Sequence, residues 1–460
     1  MSEKKASELI YEKKTVYEKA GKEIVEQAYE YAKNYVKYLD AAKTEREAVV
    51  ESIRIAEEAG FRPYSFGDPI KAGDKLYYNN RDKNVFLFRI GTESINNGIR
   101  ITAAHIDSPR LDLKQVPVYE DNSICYFKTH YYGGIRKYQW LATPLALHGV
   151  VIKQSGETVN VVIGEDETDP VFYITDLLPH LAAAENEKTV ARAFTGEKLN
   201  ILVGSRPLEG EEKDAVKLGV LKYLYDRYGI VEEDFLSAEL CLVPAAKARD
   251  AGLDRSMICG YGHDDRVCAY PSLTAIIDAD ESLHTTMCIL IDKEETGSDG
   301  VTGMQSSLIT DIITELAKAL GGNEALVRAN SKCLSSDVAA IYDPNFADVY
   351  EHRNSALLSC GVGMCKFTGS RGKGGTSDAS AELVAWVRRI LNEAGVVWQT
   401  CELGKVDAGG GGTIAKYMAN HNIDTLDLGV GVLSMHAPYE IISKVDLYEA
   451  HRAFVAFYRF

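Results

Sequence analysis

Segments with the pattern of β-strands alternate with segments of helical spacing along most of this chain. The first sixty residues contain apolar residues at helical spacing, which predicts amphipathic helices, and helical spacing recurs in later stretches of the chain. Strand-like runs cover residues 84–90, 98–105, 287–291 and 426–432, and helix-like stretches cover 266–280, 378–394 and 445–457. Strands that alternate with helices predict an α/β fold in which helices cover both faces of a sheet.

The length of 460 residues exceeds what one ordinary core uses, so two domains or one domain with a large insertion are expected. The pattern changes between about Val116 and Leu242, where short β-type segments such as 147–152 and 159–163 alternate with turns. We therefore predict an inserted domain at 116–244, and one further domain that combines 1–115 with 245–460.

The charge of the chain excludes two classes of partner. A formal net charge of -16 arises from 67 acidic and 51 basic residues. A field of this sign repels phosphate backbones and anionic lipids, so neither nucleic acid nor a membrane surface is expected to bind. The sequence also contains no apolar run that approaches the roughly 20 residues of a membrane helix.

The first residues and the cysteines indicate a cytoplasmic protein. The segment MSEKKASELIYEKK lacks the apolar region of a signal peptide. Nine scattered cysteines, without a Cys-x-x-Cys pair, favour reduced and buried thiols over a disulfide framework or a thiolate zinc site.

Histidine and acidic residues follow several of the predicted strands or lie in nearby loops. In open α/β sheets, ligands bind outside the carboxyl ends of the strands, so these residues are expected to converge. The candidates are His105, Asp107, Asp264, Asp265, Glu294, Glu295, Asp337 and His436.

Two histidines and three carboxylates can hold two divalent ions if one carboxylate bridges them. Imidazole and carboxylate ligands suit Zn²⁺, and also Co²⁺ or Mn²⁺. A glutamate next to a liganding glutamate can serve as general base and then protonate a leaving amine, which fits Glu294 beside Glu295. Asp107 can orient the imidazole of His105. Each residue, considered alone, could instead have an ordinary structural role. Glu294 and Glu295 could be a solvated surface pair, and Asp265 could form a salt bridge with Arg266.

Five short motifs closely resemble the aspartyl aminopeptidase family, a group of dinuclear zinc exopeptidases with bacterial members and the yeast vacuolar aminopeptidase. They occur in the family's order across nearly the whole chain: TAAHIDSPR at 102–110, DDR at 264–266, DKEETGS at 292–298, SSD at 335–337 and MH at 435–436. The resemblance implies a mixed, zinc-exopeptidase-like sheet flanked by helices, with an inserted β-rich dimerisation domain. It also implies removal of single N-terminal residues from short peptides by a metal-bridging hydroxide.

The resemblance assigns roles to individual residues. His105 and Asp337 match the ligands of one metal, Glu295 and His436 match those of the other, and Asp264 matches the bridging carboxylate. Glu294 matches the catalytic base, and Asp107 the aspartate that orients the first histidine. The family commonly has Asp-Asn where this chain has Asp264–Asp265, so Asp265 is the alternative bridge.

Further residues are implied outside the metal ligands. His180 matches a histidine that reaches the active site of a neighbouring subunit and stabilises the oxyanion, and family members assemble from dimers into tetrahedral dodecamers. The glycine-rich loop at 368–376 either carries Arg371 or Lys373 to the carboxylate of a substrate, or is a flexible surface loop. It lacks the ending of a P-loop.

Two other functions stay open. The nearest is a related two-metal amidohydrolase such as a deacylase, because no residue identifies a site for a free α-amine. The other is an inactive scaffold or cargo protein, against which the presence of Glu294 and of all five ligands argues. The preferred N-terminal residue, acidic or neutral to hydrophobic, is also left open.

Overall fold

The structure is a computed structural model that describes residues 9–279 and 282–460. The first part of the MSEKKASELIYEKK segment and the end of the helix predicted at 266–280 lie outside the described residues. The strands of the described residues are β1 (Arg62–Pro63), β2 (Lys75–Asn80), β3 (Asn84–Arg89), β4 (Arg100–His105), β5 (Arg110–Asp121), β6 (Ile124–Tyr132), β7 (Leu145–Ile152), β8 (Thr158–Ile163), β9 (Ile201–Gly204), β10 (Ala238–Pro244), β11 (Arg249–Ala251), β12 (Met257–Gly260), β13 (Thr286–Ile291), β14 (Lys332–Ser335), β15 (Ala339–Ala340), β16 (Val362–Cys365), β17 (Trp398–Thr400), β18 (Asp424–Gly429), β19 (Gly431–Leu433) and β20 (Glu440–Ser443).

Helices occupy much of the remaining chain. The α-helices of the described residues are α1 (Val16–Lys19), α2 (Lys22–Ala41), α3 (Glu45–Glu58), α4 (Ala183–Asn186), α5 (Val190–Ala193), α6 (Ala215–Tyr228), α7 (His263–Asp278), α8 (Leu308–Ala319), α9 (Glu324–Asn330), α10 (Ala381–Glu393), α11 (Ala415–Asn420) and α12 (Lys444–Arg459). Within these ranges, none of the helices is both long enough and apolar enough to cross a membrane.

A nine-stranded mixed sheet forms the centre of the fold, in the order β1-β2-β3-β13-β4-β14-β18-β16-β17. Strands β13, β4, β14 and β18 run parallel, whereas β3 and β16 run antiparallel to their neighbours β13 and β18. Because parallel strands share a carboxyl edge, the segments that follow β13, β4 and β14 lie side by side. The predicted α/β class is confirmed.

Helices cover both faces of this sheet, as β13 illustrates. Its side chains alternate between two cores: Met287 and Ile289 pack in one with residues of α8, and Cys288 and Leu290 pack in the other with residues of α7 and α12. All six residues of β13 are buried, as expected for a strand covered on both sides.

A second, antiparallel sheet of six strands is built from residues 110–244, in the order β8-β7-β10-β5-β6-β9. Its own apolar core includes Phe127, Trp140 and Leu242, and α6 contributes Val216 and Leu224. The predicted boundary at residue 116 falls inside β5, which begins at Arg110.

The single strand predicted at 426–432 is wrong. The segment forms β18 of the nine-stranded sheet and β19 of a separate five-stranded sheet, ordered β11-β12-β20-β19-β15. The break follows Gly429, where a Cβ atom would lie 1.8 Å from the backbone oxygen of Asp337. Only glycine fits at this position, where the backbone leaves one sheet and enters the other.

The expectation that all cysteines are reduced is wrong for one pair, because Cys365 and Cys401 form a disulfide. Strands β16 and β17 pair in parallel, and the Cys401 amide donates to the Met364 carbonyl at 3.1 Å, so the two side chains lie next to each other. The other seven cysteines are free, and all except half-buried Cys259 are buried.

A partly buried ionic cluster joins the six-stranded sheet to α3 and to Lys43, which precedes α3 by two residues. His148 of β7 is 3% exposed; its Nδ1 lies 2.7 Å from Glu47 Oε1 and its Nε2 lies 3.0 Å from Glu165 Oε1. Lys43 also donates to Glu165, at 2.6 Å. Burial lowers the pKa of His148, but the hydrogen bonds with Glu165 and Glu47 outweigh it, so the pKa is raised.

The contribution of His148 to stability should therefore depend on pH. Because its folded-state pKa is raised, the stabilisation is fully present below the unfolded pKa of about 6.5 and is lost as pH rises through the folded value. We expect His148→Gln to lower the melting temperature more at pH 6 than at pH 9. The exposed His130→Gln is the control, and an equal loss at both pH values would contradict the prediction.

Candidate metal centre

The elements of the fold bring most of the candidate residues to the carboxyl edge of the nine-stranded sheet. His105 is the last residue of β4, Asp337 follows β14 by two residues, and Glu294 and Glu295 lie in a single 3-10 turn after β13. His436 follows β19, and Asp264 lies in the first turn of α7.

Asp264 lies between the two histidines. Its Oδ1 is 3.1 Å from His105 Nε2, and its Oδ2 is 3.2 Å from His436 Nε2. Two further carboxylates flank this arrangement: Asp337 Oδ1 is 3.8 Å from His105 Nε2, and Glu295 Oε2 is 3.5 Å from His436 Nε2. A carboxylate with one oxygen toward each imidazole has the geometry that a bridging ligand requires.

Asp265 has different surroundings. One of its oxygens accepts a hydrogen bond of 3.3 Å from the backbone amide of His105, and the peptide bond that joins it to Asp264 is cis. Its other oxygen is buried and has no hydrogen-bond partner among the described residues. Ligand atoms of His105, Asp265 and Asp337 lie within 4.8 Å of one another, so Asp265 also lies within reach of a cation.

The donor set fits divalent metal ions. Ligand atoms of His105, Asp264 and Glu295 lie within 4.8 Å of one another, and all are nitrogen or carboxylate oxygen, as zinc accepts. The Glu295 Oε1 atom is buried without a hydrogen-bond partner in the described chain. Burial and the neighbouring Asp264 raise the pKa of Glu295. Divalent cations would offset this crowding of negative charge.

Glu294 differs from the flanking carboxylates because no ion pair to its side chain is found among the described residues, whereas Asp337 and Glu295 lie 3.8 Å and 3.5 Å from a histidine nitrogen. Burial and the charge of Asp337 raise the pKa of Glu294 to about 8. A carboxyl group that titrates near neutral pH can both accept and return a proton.

Asp107 joins the first histidine to the glutamate turn. Its carboxylate accepts hydrogen bonds from the backbone amides of Glu294 and Glu295, at 3.1 Å and 3.2 Å. His105 Nδ1 lies 3.0 Å from the backbone oxygen of Asp107 and 3.4 Å from its carboxylate. The Tyr132 hydroxyl donates to the same carboxylate at 2.8 Å.

Three residues at this centre were not predicted from the sequence. Glu440, 1% exposed, accepts hydrogen bonds from the backbone amides of Asp264 at 3.0 Å and His436 at 2.8 Å. Tyr132 contacts Asp107, and the Gly134 carbonyl lies 2.7 Å from His436 Nδ1. Glu440 could have been noticed because a charged residue precedes the apolar pair Ile441 and Ile442. Gly134 could have been noticed because two consecutive glycines follow a strand.

The other predicted site residues lie on exposed segments of the described chain. His180 lies on an exposed turn, and Arg371 and Lys373 lie exposed on their glycine-rich loop. Lys373 donates to Asp378 at 2.8 Å and sits 3.9 Å from the ring centre of Phe367. Within the described residues, no hydrogen bond or ion pair connects these three side chains to the metal centre.

An α/β sheet that gathers histidines and carboxylates able to hold a metal, with a further glutamate beside them, is typical of metal-dependent hydrolases. Comparison with known families narrows this class. The model of the aminopeptidase I zinc metalloprotease (M18) family matches residues 38–458. The chain belongs to this family, and it is a zinc aminopeptidase by that membership.

Individual relatives agree with the assignment. A probable M18 family aminopeptidase 1 from Clostridium acetobutylicum is 48% identical over 98% of this chain and 99% of its own. The crystal structure of the M18 aminopeptidase from Thermotoga maritima is 44% identical, with a TM-score of 0.93 over 98% of this chain and all of that one. The mApe1 dodecamer of S. cerevisiae shares the fold, at 21% identity and a TM-score of 0.75 over 93% and 95% of the two chains.

Proposed function

We propose that this chain removes single N-terminal residues from short peptides at a centre of two divalent ions, with Zn²⁺ as the natural metal and Co²⁺ or Mn²⁺ as substitutes. The observation that carries the proposal is the position of Asp264 between His105 and His436. Two ions held by these residues would lower the pKa of a bound water and polarise the scissile carbonyl.

The ligands divide into two sets around Asp264. We assign His105 and Asp337 to one ion, Glu295 and His436 to the other, and Asp264 to both. The assignment is supported by the separations of 3.8 Å and 3.5 Å within the two His–carboxylate pairs. Backbone hydrogen bonds to Asp107 and Glu440 restrain the turn and the loop that carry Glu295 and His436.

Glu294 is proposed as the general base and then the donor to the leaving amine. Its side chain makes no ion pair within the described residues, and a glutamate next to a liganding glutamate can take a proton from water and return it. Asp107 is proposed to position both Glu294, through its backbone amide, and His105, through the ring.

We further propose a tetrahedral dodecamer assembled from dimers through an inserted dimerisation domain at 116–244, by analogy with the yeast relative that is described as a dodecamer. The exposed His180 would then reach a neighbouring active site, and Arg371 or Lys373 would meet the carboxylate of a substrate. A cytoplasmic location is proposed from the seven free thiols, to which the Cys365–Cys401 disulfide is the exception.

Activity on a matched set of substrates tests the proposed reaction. We expect release of p-nitroaniline from aminoacyl-p-nitroanilides with a free amine, and none from the corresponding N-acetyl compounds. Acidic, neutral and hydrophobic residues would be compared with Zn²⁺, Co²⁺ and Mn²⁺, and chelator-treated protein is the control. Release of acetate from N-acetyl amino acids without anilide hydrolysis would favour the deacylase. Inactivity on every substrate with two metals bound would favour the scaffold protein.

A further inference from the structure

We propose that residues 132–134, at the end of β6 in the six-stranded sheet, are a positioning segment for both halves of the metal centre. This inference rests on the proposed two-metal function and names residues outside the ligand set. Three consecutive residues of this segment approach Asp107, Glu295 and His436, which lie far apart in the chain.

The first contact is made by Tyr132. Its hydroxyl donates to Asp107 Oδ2 at 2.8 Å. The carboxylate that accepts from the Glu294 and Glu295 amides therefore also accepts a hydrogen bond from a residue of the six-stranded sheet. Burial and the charge of Asp107 raise the pKa of Tyr132 well above its usual value, so the phenol stays a donor.

The ring of Tyr132 is itself held in place. The guanidinium of Arg110 lies 4.3 Å from the ring centre, and it donates to Glu45 at 2.6 Å. Arg110 and Glu45 are both buried, so the pair is shielded from solvent. A cation over an aromatic ring in such surroundings favours one ring orientation.

The second contact is made by Gly134. Its carbonyl oxygen lies 2.7 Å from His436 Nδ1, whereas Nε2 of the same ring faces Asp264 and Glu295. A carbonyl can only accept, so Nδ1 carries the proton and Nε2 is left free to bind a cation.

Gly133 has no side chain, and this leaves room for Glu295 to lie close to the segment. Its φ angle is +74°, and an added Cβ would lie 3.2 Å from Glu295 Oε2 and 3.3 Å from Glu295 Cβ. An alanine here would therefore strain the backbone and press on a proposed ligand.

The test uses two variants, each with a matched control. Tyr132→Phe removes the hydroxyl that faces Asp107, and Tyr228→Phe removes a hydroxyl that donates to Val162 within the six-stranded sheet region. Gly133→Ala is matched by Gly156→Ala, whose φ is +86° but whose Cβ would meet nothing within 4 Å. Metal content per chain is measured after dialysis against graded chelator, with kcat and KM on one anilide.

We expect the two variants to lose metal at a chelator concentration about 10-fold lower than the controls, which is the lower end of the effect of altering the groups around metal ligands. kcat should fall by a similar factor while KM changes little, because Tyr132 and Gly133 are proposed to act through the metal centre and not through contacts with the substrate. Retention of metal and kcat at control levels in Tyr132→Phe would overturn the inference, whatever Gly133→Ala does. A wild-type chain that binds no divalent metal would instead overturn the proposed function.

Discussion

Glu294→Gln should keep both metals yet lower kcat by about 10²–10⁴-fold, the range that a general acid–base residue contributes. The amide has nearly the same shape as the carboxylate but cannot take up a proton. The metal ligands are untouched, because the Glu294 backbone amide, which donates to Asp107, is unchanged. Metal content by mass spectrometry and steady-state kinetics on one anilide measure the two quantities.

Glu211→Gln makes the same chemical change at an exposed loop position and serves as control. Full activity of Glu294→Gln would refute the assignment of the base. Loss of metal from Glu294→Gln would show instead that Glu294 is itself a ligand, and would contradict the separate roles proposed for Glu294 and Glu295.

The second large effect is expected at Asp264. Asp264→Ala should lose at least one of the two metals and essentially all activity, because its two oxygens face His105 and His436 at 3.1 Å and 3.2 Å. Asp265→Ala should retain more metal, because Asp265 accepts from the His105 backbone amide rather than lying between the imidazoles. Metal content per chain is compared after identical dialysis.

Asp264 and Asp265 are both buried, so circular dichroism must first show that each variant is folded. If Asp264→Ala keeps both metals and Asp265→Ala loses them, the bridge lies one residue further along the chain. Asp264→Asn, which keeps the size of the side chain, decides the question if the alanine variant does not fold.

The fold class and the location of the site were predictable because they depend on local patterns. The apolar run of β13 and the residues that directly follow β4, β13 and β14 are adjacent in sequence, so strand periodicity and the carboxyl-edge rule were sufficient. The resemblance to a family then supplied candidate roles, which the experiments above test.

What could not be predicted depends on residues that meet only through tertiary structure. His436 and Gly134 are 302 positions apart, and Glu440 and Asp264 are 176 apart. The turn after Gly429 and the Cys365–Cys401 pair likewise depend on where neighbouring strands lie. No periodicity or short motif contains that information.

The start of β5, only three residues after Asp107, limits how this enzyme can be shortened. Excision of residues 116–244 would leave every proposed ligand in the chain. It would, however, delete Tyr132, whose hydroxyl donates to Asp107, and Gly134, whose carbonyl lies next to His436 Nδ1. A minimal peptidase made in that way would need substitute groups at both points. The second sheet is therefore not a removable module, and gene fusions or domain exchanges must carry it together with the ligands.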